Sequence, residues 1–307
     1  MDATDARDRI FGLLGMASDV EELGIRADYT KPCSDIYTTV AAAFLERQKN
    51  IQILSRCRFP KKQLNLPTWV PDWSDFPLSY LWNAYFSLFS AGKCARKQTL
   101  RVSGNSLIIL GASVDVVGIV GWSWDSAIVK EANDTTITAQ KGLGEITTLV
   151  STNCAAYPTA EAREDAVWRT SILDQDIAML GKADRWSRRA TPLMHSGFKA
   201  FYGSGLWPNA EQHHAVATFV GAMVAANEDR RYFTTRGGYL GIGPVGIRSG
   251  DLVCIILDAD VPFVLRKSAA NGAGNAQFEL VGECYVHGIM DGEFLRSNPE
   301  ILEFTLV

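Results

Sequence analysis

Residues 230–267, RRYFTTRGGYLGIGPVGIRSGDLVCIILDADVPFVLRK, decide the fold, together with FELVGECYVHGIMDGEF at 278–294 after a Gly/Ala/Asn-rich break. Short apolar runs separated by glycine turns read as a series of β-strands. The stretch Gly241-Ile-Gly243-Pro244-Val-Gly246 also satisfies G-x-G-x-x-G, the dinucleotide-binding pattern. That pattern works where a strand feeds a glycine turn and then a helix, whose free N–H groups hold the pyrophosphate. Here the next apolar run, Leu252–Leu257, is too short for a helix and is flanked by turn residues, and Pro244 removes a phosphate-facing N–H. The motif is therefore expected to be turn chemistry of a small β-barrel-like subdomain, not a nucleotide site.

Upstream, apolar spacing predicts a short amphipathic helix at 5–16 and a clearer one at 34–48. Ser34 is a candidate N-cap of the second helix, and its stripe is Ile36, Tyr37, Val40, Ala43, Phe44 and Leu45. The apolar residues near Ile51–Leu54 continue that helix after a break. Residues 59–92 then combine four prolines with a dense set of aromatic rings, too many for a solvated linker. Leu100–Val102 and Leu107–Leu110 read as a hairpin around Ser103-Gly-Asn-Ser, with Val114–Val120 as a following strand. Residues 126–226 carry helical spacing around Ile146–Leu149, Ala166–Leu180 and Ala215–Val224, interrupted at Thr191–Pro208 by an expected aromatic loop. Asn271–Asn275 reads as an exposed loop.

The expectation is one α+β domain over 1–307, a helical layer packed on antiparallel sheet elements with a C-terminal small β-barrel. Its subregions are 1–58 helical, 59–125 aromatic segment and β-hairpin, 126–228 mainly helical and 229–307 β-rich. At 307 residues and 47% hydrophobic content the chain can bury a substantial core. A net charge of −4 with interspersed signs offers no electrostatic footprint for nucleic acid. No apolar run reaches the length of a membrane span. The N-terminus MDATDARDRI is polar and unlike a signal peptide, and the six cysteines are scattered without C-x-x-C, as suits reduced thiols in a cytoplasmic protein.

One set of motifs, in this order, is more specific than any of its parts: DARDRIFGLLGMASD (5–19), ADYTKPCSDIYTTVAAAFLE (27–46), LPTWVPDWS (66–74), GGYLGIGP (237–244), GDLVCIIL (250–257), VPFVLR (261–266) and GECYVHGIMDGE (282–293). Together they resemble the region that follows the HET domain in fungal heterokaryon-incompatibility (HET) proteins. The likeness covers both ends well and 126–226 weakly. In that family a HET domain precedes the DxRD…LLG helix and is linked to self/non-self recognition and cell death. With Met1 only a few residues before the helix, the chain is expected to lack that signalling domain. Such trimmed HET-like proteins resemble accessory enzymes of fungal natural-product pathways, among them norbornene-forming Diels–Alderases.

Familiar catalytic machinery is absent from the sequence: no G-x-S-x-G elbow, no P-loop, no H-E-x-x-H and no acid-rich diphosphate motif. Glu211-x-x-His214 is one half of a di-metal carboxylate pattern without its second half, and reads as a solvated helix start, with His213 at the surface. Glu283, Tyr285 and His287 fall on one strand face. They can hydrogen-bond a ligand in a pocket, or form a structural polar face against the helical layer. Trp69, Trp73, Tyr80, Trp82, Tyr85, Phe86, Phe89, Trp122 and Trp124 can wall a cleft for a polycyclic hydrocarbon, or form ordinary core. Asp72, between Pro71 and Trp73, is a candidate structural cap. These features suit a cofactor-independent cyclase acting on an apolar terpenoid-type substrate. It would hold a diene and dienophile in a near-attack shape for an intramolecular [4+2] reaction. The competing class is a non-catalytic interaction or regulatory module.

Overall fold

The computed structural model describes residues 3–16, 18, 20–75, 88–124, 135–153, 155–176, 188–204, 210–268 and 276–307. Strand β1 (Arg101–Ser103) turns through Gly104 into β2 (Ser106–Trp124), which runs nineteen residues. Expected as two strands, β2 is continuous. The glycine at the expected break answers a close approach, since a Cβ at Gly111 would sit 2.6 Å from the Ile255 carbonyl oxygen. Along its length β2 changes partner. Residues 107–111 pair with β9 (Leu302–Leu306), 111–116 with β5 (Leu252–Ile256) and 117–124 with β3 (Arg230–Thr235). Register shifts after Ser113, Val117 and Val120 bend it through these changes.

The barrel closes as β5–β6–β7–β9–β2–β5, with β6 at Phe263–Lys267 and β7 at Gln277–Glu283. All of these pairs are antiparallel except β7–β9. Beyond β2 the sheet continues through β3 to β4 (Leu240–Pro244) and β8 (Tyr285–Val286). Of the expected turn GIGPVG, Gly241–Pro244 are instead strand, pairing with β3 as part of β4, and only Val245 and Gly246 turn. Alternate residues of β5 serve two cores. Cys254 and Ile256 join Leu107, Ile109, Phe263 and Phe304, while Val253 and Ile255 pack with Phe233, Ile247, Val281 and Val286. Burial on both faces is why LVCII shows no polar alternation.

Helices cover the sheet: α1 (Asp8–Leu14), α2 (Val20–Leu23), α3 (Cys33–Glu46), α4 (Thr135–Thr152), α5 (Ala160–Ser171), α6 (Pro192–Ser204), α7 (Ala210–Asn227) and the single turn α8 (Glu293–Arg296). Ile51–Arg56 is a 3₁₀ helix. The N-cap of α3 is Pro32, not Ser34, and no side chain caps it. Of the expected stripe, Ile36, Tyr37, Val40, Ala43 and Leu45 are buried.

The expected aromatic loop at 191–208 is corrected by α6. Its glycine is a packing residue: a Cβ at Gly197 would collide with the backbone of Ala215 on α7, so its absence lets the two helices touch. Met194, Phe198 and Phe201 fall on the buried face. The expected loop at 271–275 lies outside the described residues.

This packing separates two kinds of helical glycine. Gly197→Ala is expected to lower unfolding stability by about 1–3 kcal/mol through overpacking. Gly221→Ala on α7, where a Cβ meets nothing within 4 Å, is expected to raise it by roughly 0.5–1 kcal/mol through helix propensity. Urea denaturation midpoints of the two variants check both signs.

Candidate functional site

Of the three residues expected on one strand face, the structure brings two together. The Tyr285 hydroxyl lies 3.2 Å from His287 Nδ1. On the other side of the ring, His287 Nε2 is 3.5 Å from an Asp165 carboxylate oxygen on α5. Glu283 goes elsewhere, because the chain leaves β7 and joins the second sheet across Cys284, whose N–H donates to the Pro262 carbonyl. Its charged neighbours are Arg230, Arg56 and Arg58, with Ser55 hydrogen-bonded to it. Ser55, Arg58, Asp229, Arg230 and Glu283 line a small cleft of about 50 Å³.

A seam of alternating charges continues from His287. Asp165 accepts from Arg169 Nε at 2.9 Å, and Arg169 donates to Asp174 at 2.6 Å. Asp174 also accepts from Arg189 at 2.6 Å, and Arg189 reaches Asp291 at 2.5 Å and the Leu88 carbonyl at 2.9 Å. Leu173 and Asp174 both adopt left-handed backbone, with φ of 56° and 51°, a conformation unfavourable for residues with a Cβ. Two guanidiniums hold the Asp174 carboxylate in that turn. Tyr157 ties the same seam to the sheet, donating to the His287 carbonyl at 2.9 Å and accepting the Leu240 N–H at 3.0 Å.

Burial sets the protonation of these groups. It pushes the His287 imidazole down, opposed by the pull of Asp165, and pushes the Tyr285 and Tyr157 hydroxyls up. The ring is therefore neutral at pH 7. The order carboxylate, imidazole, hydroxyl is that of a proton relay, but Tyr285 is only 2% exposed and packs against Phe89, 5.9 Å between ring centroids. In the Glu283 cleft, burial raises the Glu283 carboxyl to about 7 and lowers Arg230 to about 10.

Sequence reasoning missed a further carboxylate, Glu145 on α4. It accepts the Trp122 N–H of β2 at 2.5 Å, and Gly121 leaves the room it needs, since a Cβ there would collide with it. Burial raises Glu145 to about 7.

The described aromatic candidates belong to packing. Trp69 is fully buried and donates Nε1–H to the Asn105 carbonyl at 2.8 Å. Trp73 meets Tyr37 edge-on at 5.0 Å, Phe89 lies under the Arg189 guanidinium at 4.3 Å, and Trp122 packs partly buried on the main core. Tyr80, Trp82, Tyr85, Phe86 and the side chain of Trp124 lie outside the described residues. Asp72 is the expected cap, accepting from Lys62 N, Gln63 N and Ser74 N at 2.9, 2.9 and 3.0 Å. Among the described residues no group of three or more His, Cys, Asp and Glu could hold a metal ion, and His213 and His214 are exposed. No described helix is long and apolar enough to cross a membrane.

Two outcomes are expected from this geometry. Asp174→Ala removes the buried carboxylate shared by two part-exposed guanidiniums, each of which keeps another partner, and should cost about 1–3 kcal/mol. Asp291→Ala, at the 43% exposed end of the seam, should cost under about 1 kcal/mol. Glu145 and Glu283 have folded pKa values raised above the ordinary 4.5 to about 7. Their contribution is therefore fully present below pH 4.5 and is lost as pH rises through about 7. Guanidinium midpoints should fall between pH 5.5 and 8.5, and Glu145→Gln with Glu283→Gln should flatten that fall.

Residues 206–307 match the Het-6 beta-barrel domain. The barrel itself takes one strand, β2, from outside that segment. The chain is 28% identical, over 352 aligned positions and 99% of its own length, to heterokaryon incompatibility protein 6, OR allele, of Neurospora crassa. It spans about half of that relative, 51% of its length. No solved structure matches. The matched barrel segment and this relative make the chain similar to heterokaryon-incompatibility proteins.

Proposed function

We propose that the chain is a non-catalytic interaction or regulatory module of the heterokaryon-incompatibility type. One observation carries the reading: the described members of both candidate sets are engaged by partners inside the fold. Trp69 donates to the Asn105 carbonyl, Trp73 meets Tyr37 and Phe89 lies under Arg189, while Tyr285 and His287 are held by the charged seam. Similarity to an incompatibility protein along nearly the whole chain points the same way. The seam ties the helical layer to the sheet, which suits presentation of a surface. Cys33, Cys57, Cys94, Cys254 and Cys284 are free thiols, which supports a cytoplasmic setting.

The alternative is the cofactor-independent cyclase acting on an apolar terpenoid-type substrate by a [4+2] reaction. Purified chain incubated with metabolite extracts of fungal strains blocked in terpenoid or polyketide pathways separates the two. The module reading expects no product above the buffer control, with or without divalent metal and nicotinamide cofactor. It also expects the tagged chain to sediment from a fungal host in a complex of fixed stoichiometry. A product whose rate scales with chain concentration sinks the module reading in favour of the cyclase.

A further inference from the structure

Between α4, α5 and α6 lies a pocket of about 200 Å³ that shares no lining residue with the seam or with the Glu283 cleft. Val150, Val167 and Phe198 are its buried floor, while Tyr202, 51% exposed, stands at its mouth. A ladder of rings leads to that mouth. Trp168 lies 4.9 Å from His195, His195 is stacked 6.3 Å from Phe198, and Phe198 is stacked 5.3 Å from Tyr202. Phe219 fixes Phe198 from behind, edge-on at 5.6 Å. The aromatic part of the pocket wall is therefore Phe198 and Tyr202, backed by packed rings.

Size limits what fits. An apolar cavity of about 150 Å³ accepts benzene, whereas drug-sized ligands need roughly 300 Å³ or more. One or two fused rings match this volume.

The polar side limits it further. Thr147 and Ser151 each donate their hydroxyl proton to the carbonyl four residues back, at 2.7 and 2.8 Å. Both oxygens therefore offer the pocket lone pairs. Glu164, held by Lys199 at 2.5 Å, adds a carboxylate, and Arg163 is turned to the Tyr157 and Pro158 carbonyls at 3.3 and 3.2 Å. Ser151 is exposed and Thr147 and Glu164 are half-buried, so all three are hydrated when the pocket is empty. An occupant that displaces that water is favoured when it brings its own donor.

We propose that this pocket binds an aromatic group of one or two rings bearing an N–H or O–H donor, an indole or phenol, with the ring against Phe198 and Tyr202 and the donor toward Ser151, Thr147 or Glu164. Nothing in the function proposed above requires the pocket. The chemistry is shared by free aromatic compounds and by a Trp or Tyr side chain of a partner, and the test separates them.

The full chain, labelled at its valine methyls, is titrated by NMR with indole, 1-methylindole and a capped tryptophan tripeptide. Saturable shifts of Val150 and Val167 with indole are expected, about tenfold weaker with 1-methylindole, which lacks the donor. The exposed rim variant Ala160→Phe should abolish them with an unchanged melting temperature, and Ser151→Ala should weaken indole while leaving 1-methylindole unaffected. Tripeptide binding tighter than indole assigns the site to a partner's side chain, and the reverse assigns it to a free compound. Absence of saturable shifts in the folded chain overturns the site. Equal shifts in Ala160→Phe overturn its location, and equal affinity for 1-methylindole overturns the donor requirement.

Discussion

A single strand that must pair with three partners in turn is the constraint on which the rest of this structure hangs. β2 meets β9, then β5, then β3, and only that succession closes the barrel while extending the sheet toward the helices. Close approach of backbones makes the succession possible. Gly111 faces the Ile255 carbonyl, and Gly92 tucks against Ile256 and Ala259 just past the end of β5, exchanging hydrogen bonds with Ala259 and Asp258. The barrel is pinned elsewhere by Arg266, which grips buried Asp251 with two bonds of 2.9 and 2.8 Å and donates to the Gly246 carbonyl at 2.7 Å. That carbonyl is the last residue of the G-x-G-x-x-G stretch, so the stretch serves an arginine of the barrel.

Because β2 extends past the barrel, the helical layer has something to dock on, and polar groups specify how it docks. Glu145 reaches the Trp122 N–H from α4, and the Asp165–Arg169–Asp174–Arg189–Asp291 seam joins α5 to the turn after β8. Partly buried charges of this kind add little net stability over apolar packing but strongly penalise a wrong register. They also account for the left-handed turn at Leu173 and Asp174, a local strain sustained by the two guanidiniums that converge on it.

What was legible in the sequence follows from how local each signal is. The β-rich C-terminus and the α3 stripe rest on spacings within a few residues, and they hold; the expected turn GIGPVG is mostly strand, with only Val245 and Gly246 turning. Gly197 misled because a glycine in an aromatic run reads the same whether it breaks a helix or lets another helix approach. The Asp165–Arg169 pair is visible as an i,i+4 spacing, but Arg189 meets Asp291 across 102 positions, and no local pattern encodes that meeting. The strand-face argument joined Tyr285 to His287 correctly. It failed for Glu283 because the strand changes sheets at Cys284, and period-two alternation holds only within one continuous strand.

Aromatic density is a poor guide to a binding site unless the partners of each ring are known. Trp69 and Tyr37 have the size expected of pocket walls, yet each sits inside with its polar atom satisfied by a distant backbone carbonyl, Asn105 and Ala6 respectively. Such a ring fixes the path of the chain and presents no face to a ligand. Tyr202 belongs to a sparser aromatic stretch and is half exposed, yet it ends a stack whose inner members are immobilised. A ring that is stiffly backed and open on one face loses little entropy when a second ring covers it. By that measure the proposed aromatic pocket belongs on α6, in the segment whose aromatics first read as a loop.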